Sequence, residues 1–349
     1  MNTATLYPDN PALAGAPAIP GLRFRRYQGA ADLPKMLEVS IGSKAADSLE
    51  EADTLEGLTV RYEHLNHCDP RRDILMVEAA GQLVGFGRTY WQTEVSGDVW
   101  RHNLVAWLLP AWRRRGVGRA MLHWLERRSS AISAELAPPR TAARFFQIGC
   151  AETEVGKAAL IEREGYQPVR YSYVMVRPNL DDIPDAPMPP GLEVRPVQTE
   201  QVRAIWEADL EAFADHWGEE VHTEADYERW LNIAEFQPEI WKVAWDTGTN
   251  EMAGMVLGFI NHEQNARYQR RRGWTENISV RRPWRRRGLA HALIAESLRE
   301  LKGRGMLEAA LGVDTENVSG ALRVYESMGF RPVRRDSLWR KSMGQAAGP

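Results

Sequence analysis

Hydrophobic positions switch period along this chain, and the most informative switch lies near its end. Ile278 and Val280 alternate with polar Asn277 and Ser279, the period of a strand, and Pro283 stops it. Ala290, Leu293, Ile294, Ser297, Leu298 and Leu301 then recur at helical spacing. Between the two runs Arg285-Arg286-Arg287-Gly288-Leu289-Ala290. The order is strand, basic glycine-containing loop, helix. It aims backbone N–H groups and a helix N-terminus at one spot, which suits a pyrophosphate. No Lys-Ser/Thr follows the glycine, which excludes a Walker A loop, and no third glycine is present for a dinucleotide fingerprint.

The same pattern occurs earlier. A strand from Asp98 to Leu109 leads into Arg113-Arg-Arg-Gly116-Val-Gly118, and Val117, Ala120, Met121, Trp124 and Leu125 follow at helical spacing. Gly116 and Gly288 are 172 residues apart. Gly21-Leu-Arg recurs as Gly191-Leu-Glu, Tyr62-Glu-His-Leu-Asn as Tyr227-Glu-Arg-Trp-Leu-Asn, Trp112 as Trp284, and Gly165-Tyr166 as Gly329-Phe330. A repeat of this period means two copies of one domain. Asp181 to Gly191 is rich in proline and reads as a semi-rigid linker. The expected organisation is a loose arm over residues 1–20, a domain over 21–180, the linker over 181–191 and a second domain over 192–349.

Within the first copy the pattern predicts a strand at Gly21–Tyr27, a helix at Ala31–Val39, helical structure near Tyr62, and a hairpin of Ile74–Ala79 with Leu83–Tyr90. In the second it predicts a strand at Leu192–Val197 and helices at Glu200–Ala212 and Thr223–Ala234. A hairpin of Trp241–Trp245 with Met255–Asn261 and a continuous strand at Trp274–Val280 follow. The closing elements are a strand at Glu308–Asp314, a helix at Asn317–Met328 and a pair of short strands within Phe330–Arg340.

Composition narrows the class. The 349 residues suit two domains, with 44% hydrophobic and 26% charged residues. The formal net charge of −3 argues against a nucleic-acid binder, despite the arginine runs. The two cysteines, Cys68 and Cys150, have no metal spacing, so no metal is expected and a reducing cytoplasm is the expected location. No signal peptide or apolar run long enough to span a bilayer is apparent, so no membrane partner is expected.

The motif Arg285-x-x-Gly288-x-Ala290 resembles the acetyl-CoA loop of the GCN5-related N-acetyltransferases. Asn317-x(7)-Tyr325-x(3)-Gly329-Phe330 matches that family's second signature. The element order fits in both halves, and the tandem layout resembles the mycothiol synthase-like branch. The resemblance implies an α/β (α+β) fold, two tandem domains of this family, each a mixed, mostly antiparallel twisted sheet flanked by helices. It implies an acetyl-CoA-dependent N-acetyltransferase acting on a primary amine, with catalysis in the second copy. The sequence leaves a monomer or a homodimer open.

By the same resemblance, Arg285, Arg286, Arg287, Gly288, Leu289 and Ala290 hold the pyrophosphate, Ser279 and Val280 the pantetheine, and Asn317 contacts it too. Tyr325 is the implied acid to the CoA thiolate. Glu276 is the favoured base, with Asp314, His262 or a water chain as alternatives. Asp215, His216, Trp217 and Glu219 lie where the family recognises its acceptor, and carboxylates beside an indole suit a cationic amine. In the first copy Arg113, Gly116 and Gly118 keep the anion loop, but Ile161 stands at the position of Tyr325 and Thr153 at that of Asn317. That copy is expected to transfer nothing, and either binds CoA without turnover or packs against the active half. A silent CoA-binding sensor, a nucleic-acid binder using the arginine runs, and a longer acyl donor are the competing readings.

Overall fold

A computed structural model describes residues 11, 13, 15–316 and 320–344, and the chain forms two compact units. Unit 1 comprises Met1–Val169, Glu220–Arg229 and Ser337–Pro349; unit 2 comprises Arg170–Glu219 and Trp230–Asp336. The units are therefore not two contiguous stretches of chain.

The first sequence half runs β1 (Leu22–Arg26), α1 (Leu33–Ala46), α2 (Leu55–Glu63), a single turn α3 (Pro70–Asp73), β2 (Ile74–Ala79), β3 (Gln82–Thr93), β4 (Val99–Leu108), α4 (Val117–Leu136), β5 (Ala143–Ala151), α5 (Val155–Arg163) and β6 (Gln167–Arg177). The second runs β7 (Leu192–Arg195), α6 (Val202–Phe213), α7 (Glu224–Asn232), β8 (Lys242–Asp246), β9 (Met252–Val256), α8 (His262–Arg267), β10 (Arg272–Trp274), β11 (Ser279–Val280), α9 (Leu289–Gly303), β12 (Glu308–Asp314), α10 (Ala321–Ser327) and β13 (Arg331–Ser342).

In unit 1 the strand order is β1-β2-β3-β4-β5, and the Ser337–Ser342 end of β13 pairs beyond β5. Among the pairings of β1 to β5 only that of β4 with β5 is parallel, from Val99 opposite Ala143 to Asn103 opposite Gln147. Alternation along β2 sorts the two faces. Leu75 and Val77 pack with Met121, Trp124 and Leu125 of α4, while Ile74 and Met76 pack with Leu33, Met36 and Val39 of α1. Helix α1 runs past the expected Val39 because Ser40, Ser43 and Lys44 are buried on its inner face, which hides the apolar period. Lys44 is satisfied there by Asp53, 2.7 Å away. The arm expected over residues 1–20 lies outside the described residues up to 10 and at 12 and 14, but Leu13 is buried in the α4 cluster with Ala16 and Ile19 against it.

Unit 2 has two sheets, β6-β12-β10 and β11-β9-β8-β7. Helix α9 lays Ile294, Leu298 and Leu301 on Ala309 and Leu311 of β12, and α6 lays Ile205 and Ala208 on Val243 and Met255. The proline-rich segment is held by Ile183 and Ala186 on the first cluster and by Met188 on the β7–β9 cluster.

The expected continuous strand at Trp274–Val280 is broken. Its first part, β10, pairs parallel with β12, ending with Trp274 opposite Ala310. Its second part, β11, pairs antiparallel with β9, Ser279 opposite Met255 and Val280 opposite Gly254. Between them Asn277 adopts φ +46° and its side-chain amide donates to buried Asp209 of α6 at 2.5 Å. A left-handed residue turns the strand, and the buried carboxylate fixes the turn. One strand thus leaves one sheet for another, and a cleft opens where it parts. The expected pair of strands after Phe330 is one strand, β13. The expected helix at Asn317–Met328 is described as Ala321–Ser327 behind Gly320 at φ +76°, and Asn317 lies outside the described residues.

Candidate active site

The loop after β11 ends at Gly288, which has φ +87° and N-caps α9. Only glycine takes that conformation without strain. A Cβ there would meet no atom within 4 Å, so the space over the loop is open. Among the described residues the N–H groups of Gly288, Leu289 and Ala290 have no acceptor, as the first turn of a helix dictates. Arg286 and Arg287 are exposed. Arg285 is turned back instead: its Nε donates to the Val280 carbonyl at 2.8 Å and Nη2 to Ala212 of α6 at 3.4 Å. It braces the loop from behind.

That brace orients β11. The Arg281 N–H donates to Ala253 of β9 at 3.0 Å, so the next residue back, Val280, turns its polar groups to the open edge of the strand. The Val280 carbonyl is taken by Arg285, and its N–H lies on the same edge, away from β9. The buried Ser279 hydroxyl has no partner among the described residues.

Glu276 sits in the gap between β10 and β11. Gly312 of β12 would continue a ladder with the departing strand, but its N–H donates instead to Glu276 Oε1 at 3.0 Å. No cation pairs with this half-buried carboxyl among the described residues, and burial pushes its pKa up to about 8. Tyr325 of α10 is buried against Phe330, with ring centres 6.5 Å apart, and its hydroxyl has no partner among the described residues. Burial raises the phenol above its ordinary value, and the Glu276 charge raises it further.

The other expected residues are placed differently. Asp215 is engaged by Arg282, at 2.5 Å, so it is not a free counter-charge. His216 packs edge-on to Phe213, and burial lowers its pKa. Trp217 is exposed, with the Arg170 guanidinium 5.2 Å from its ring centre. Glu219 is half-buried. Asp314 is paired with Arg170 at 2.8 Å, and His262 is exposed at the start of α8. Gly312 belongs to no motif, though a glycine inside a strand signals a close backbone approach, and Asn277 reads in the sequence only as a polar strand position.

Unit 1 repeats the loop with opposite contents. Gly116 has φ +84° and N-caps α4, but a Cβ there would lie 3.5 Å from Pro17, so the N-terminal segment covers the loop. Arg113 again braces a strand end, donating to Leu108 at 3.1 Å, and forms a bidentate pair with Asp47 at 2.7 and 2.8 Å. Gly118 lies within α4, where a Cβ would touch Leu160 at 3.7 Å. β4 and β5 part after Asn103, and the 172-residue offset puts buried Leu104 at the position of Glu276. Buried Ile161 stands for Tyr325.

The acetyltransferase (GNAT) family model matches residues 41–149 and again 202–330, more than half of the chain. The chain belongs to the GNAT family. This GNAT protein is an N-acetyltransferase built from two GNAT domains. It is 28% identical over 302 residues to a mycothiol acetyltransferase of Geodermatophilus obscurus, covering 83% of this chain and 90% of that protein. It is 28% identical over 313 residues to the mycothiol acetyltransferase of Streptomyces bingchenggensis, covering 89% and 92%. Among solved structures it is similar to a GCN5-related N-acetyltransferase from Sphaerobacter thermophilus, with TM-score 0.68, 28% identity, and 93% and 96% of the two chains covered. A tandem GNAT protein from the clavulanic acid biosynthesis pathway, at 15% identity and TM-score 0.62, shares the fold. Among the described residues no helix is long and apolar enough to cross a membrane, and no group of side chains is arranged to hold a metal.

Proposed function

We propose that unit 2 transfers an acetyl group from acetyl-CoA directly to a primary amine, and that unit 1 transfers none. The observation that carries this is Glu276 and Tyr325 together: a carboxyl pushed up to about 8, and a buried phenol with no partner among the described residues. Both places are apolar in unit 1, at Leu104 and Ile161.

Acetyl-CoA supplies the activated acyl group, and the chain does the rest. The N–H groups of Gly288, Leu289 and Ala290 receive the pyrophosphate, helped by Arg286 and Arg287. The open edge at Ser279 and Val280 takes the pantetheine, and Asn317 is assigned to the same arm by the family motif. The Val280 N–H donates to the thioester carbonyl as negative charge develops there. Glu276 takes the proton of the ammonium form of the acceptor, a task for which a carboxyl near 8 is matched. Tyr325, a weaker acid than an ordinary phenol, steadies the leaving thiolate by a hydrogen bond. The two are coupled. Once Glu276 holds a proton its charge no longer raises the Tyr325 pKa, so the phenol becomes a better donor as the thiolate forms.

The name of the relatives favours a mycothiol-type amine as acceptor. The test is release of free CoA thiol by the full chain across a panel of amines, that one included. Turnover with at least one amine is expected, and loss of it in Tyr325→Phe and Glu276→Gln. No release with any amine, or unchanged rates in both variants, would overturn the assignment.

A further inference from the structure

Unit 1 holds a polar constellation that acetyl transfer does not use. In β3, Phe86 packs under α1, and Arg88 and Tyr90 follow on the same face of the sheet. Arg88 is half-buried. Its guanidinium carbon lies 4.8 Å from the Tyr90 ring centre and 5.8 Å from that of Tyr62, next to the Cys68 thiol. Tyr27 stands beside Tyr62, ring centres 5.7 Å apart.

Arg88 has no carboxylate partner among the described residues. Four other arginines of the same unit each have one: Arg25 with Asp32 and Glu78, Arg101 with Glu220, Arg128 with Asp73, Arg340 with Glu94. A guanidinium removed from water without a counter-charge is costly, and aromatic faces offset only part of that cost. The hydroxyls of Tyr27, Tyr62 and Tyr90 also have no hydrogen-bond partner among the described residues. Burial pushes Tyr62 up to about 12 and raises Tyr90, so both phenols are donors at neutral pH.

Beyond Tyr90 the sheet face stays polar. Asn103, opposite Tyr90 in the register, donates to Gln92 at 2.7 Å and accepts from Gln147 at 2.8 Å. The second half of the chain does not repeat this. Gly85 and Gly254 both press on the strand end that enters their loop, Gly85 on Trp107 and Leu108 and Gly254 on Ser279 and Val280. Three residues after Gly254 stands buried Leu257, at the place of Arg88. A core leucine is thus replaced by an unpaired cation only in the unit that lacks the catalytic pair.

We infer that unit 1 carries a second small-molecule site, for an oxyanion borne on a flat aromatic or apolar body, held by Arg88 with the hydroxyls of Tyr27, Tyr62 and Tyr90. Carboxylate and phosphate share this chemistry, so the probes are phenylacetate and phenyl phosphate, titrated calorimetrically into the full chain. Saturable binding of one of them is expected. Arg88→Leu, which installs the residue of the second half, is expected to weaken it about tenfold or more, the loss of a charge-assisted contact. Tyr62→Phe keeps the ring and is expected to weaken it about threefold or more, which a purely packing role for Tyr62 would not do. The reading involves no acetyl transfer, so it stands or falls apart from the proposed activity. It is overturned if neither probe binds saturably, or if binding is the same in Arg88→Leu.

Discussion

At the scale of single residues, the candidate site turns on one proton. Glu276 has its pKa pushed up to about 8 by burial, which the one backbone donor, Gly312, offsets only in part, and no cation pairs with it among the described residues. As a base it must be ionised, so kcat/KM is expected to rise with pH through about 8. Glu276→Gln is expected to abolish that limb and lower kcat/KM about a hundredfold or more, measured by thiol release from pH 6 to 10. The stability consequence has the opposite sign. The folded carboxyl holds its proton between the ordinary 4.5 and about 8, where the unfolded chain has lost it. Stability therefore falls as pH rises through that window, and Glu276→Gln is expected to raise the melting temperature at pH 9 by about a few degrees. Tyr325→Phe removes only a hydroxyl with no partner among the described residues. It is expected to lower kcat about a hundredfold, leaving the Kd for acetyl-CoA and the melting temperature nearly unchanged.

At the scale of elements, the two glycine loops make the sharper comparison. Both glycines are left-handed helix caps, but one faces open space and the other faces Pro17. Equilibrium dialysis of the full chain is expected to give one acetyl-CoA per chain. Gly288→Ala forces an alanine to φ +87° and is expected to raise the Kd about tenfold, whereas Gly116→Ala is expected to leave it unchanged. The loops were legible because a helix period starting behind a glycine is a local signal. β12 was legible to the residue for the same reason: a short apolar run, buried at Ala309, Ala310, Leu311 and Val313, leaves its mark in seven residues. The break at Asn277 was not legible. Ile278 and Val280 keep the strand alternation through it, and the turn is fixed by Asp209, 68 residues away. The covering of Gly116 by Pro17 has no sequence signal either, since a proline-rich arm gives no periodic sign of where it packs. Arg113 and Arg285 looked like phosphate ligands by charge, yet their Nε atoms hold backbone carbonyls, a role that depends on the direction of a side chain.

At the scale of the whole molecule, the repeat in the sequence and the compact units do not coincide. β6 follows Gly165-Tyr166 as β13 follows Gly329-Phe330, so the two are equivalent final strands of their copies. Yet Ser172–Arg177 of β6 lies in unit 2, antiparallel to Asp314–Ala309 of β12, and Ser337 onward lies in unit 1. Each half gives the later part of its last strand to the other unit. This matters most for β12, because β10 pairs with it only from Glu308 to Ala310 before the strand turns away. From Leu311 to Asp314 the strand hydrogen-bonds to β6 in unit 2, and Leu311 and Val313 are buried there. A fragment of residues 192–349 would hold the catalytic pair and the open glycine loop but would lack β6. Leu311–Asp314 would then be an unpaired, largely apolar edge on both sides, and it contains Gly312, whose N–H positions Glu276. That fragment is expected to aggregate on size exclusion and to melt without a cooperative transition. Extending it to 167–349 is expected to restore a cooperative melt by circular dichroism. If residues 192–349 alone melted cooperatively and released CoA at the rate of the full chain, the exchanged strand would be dispensable to unit 2.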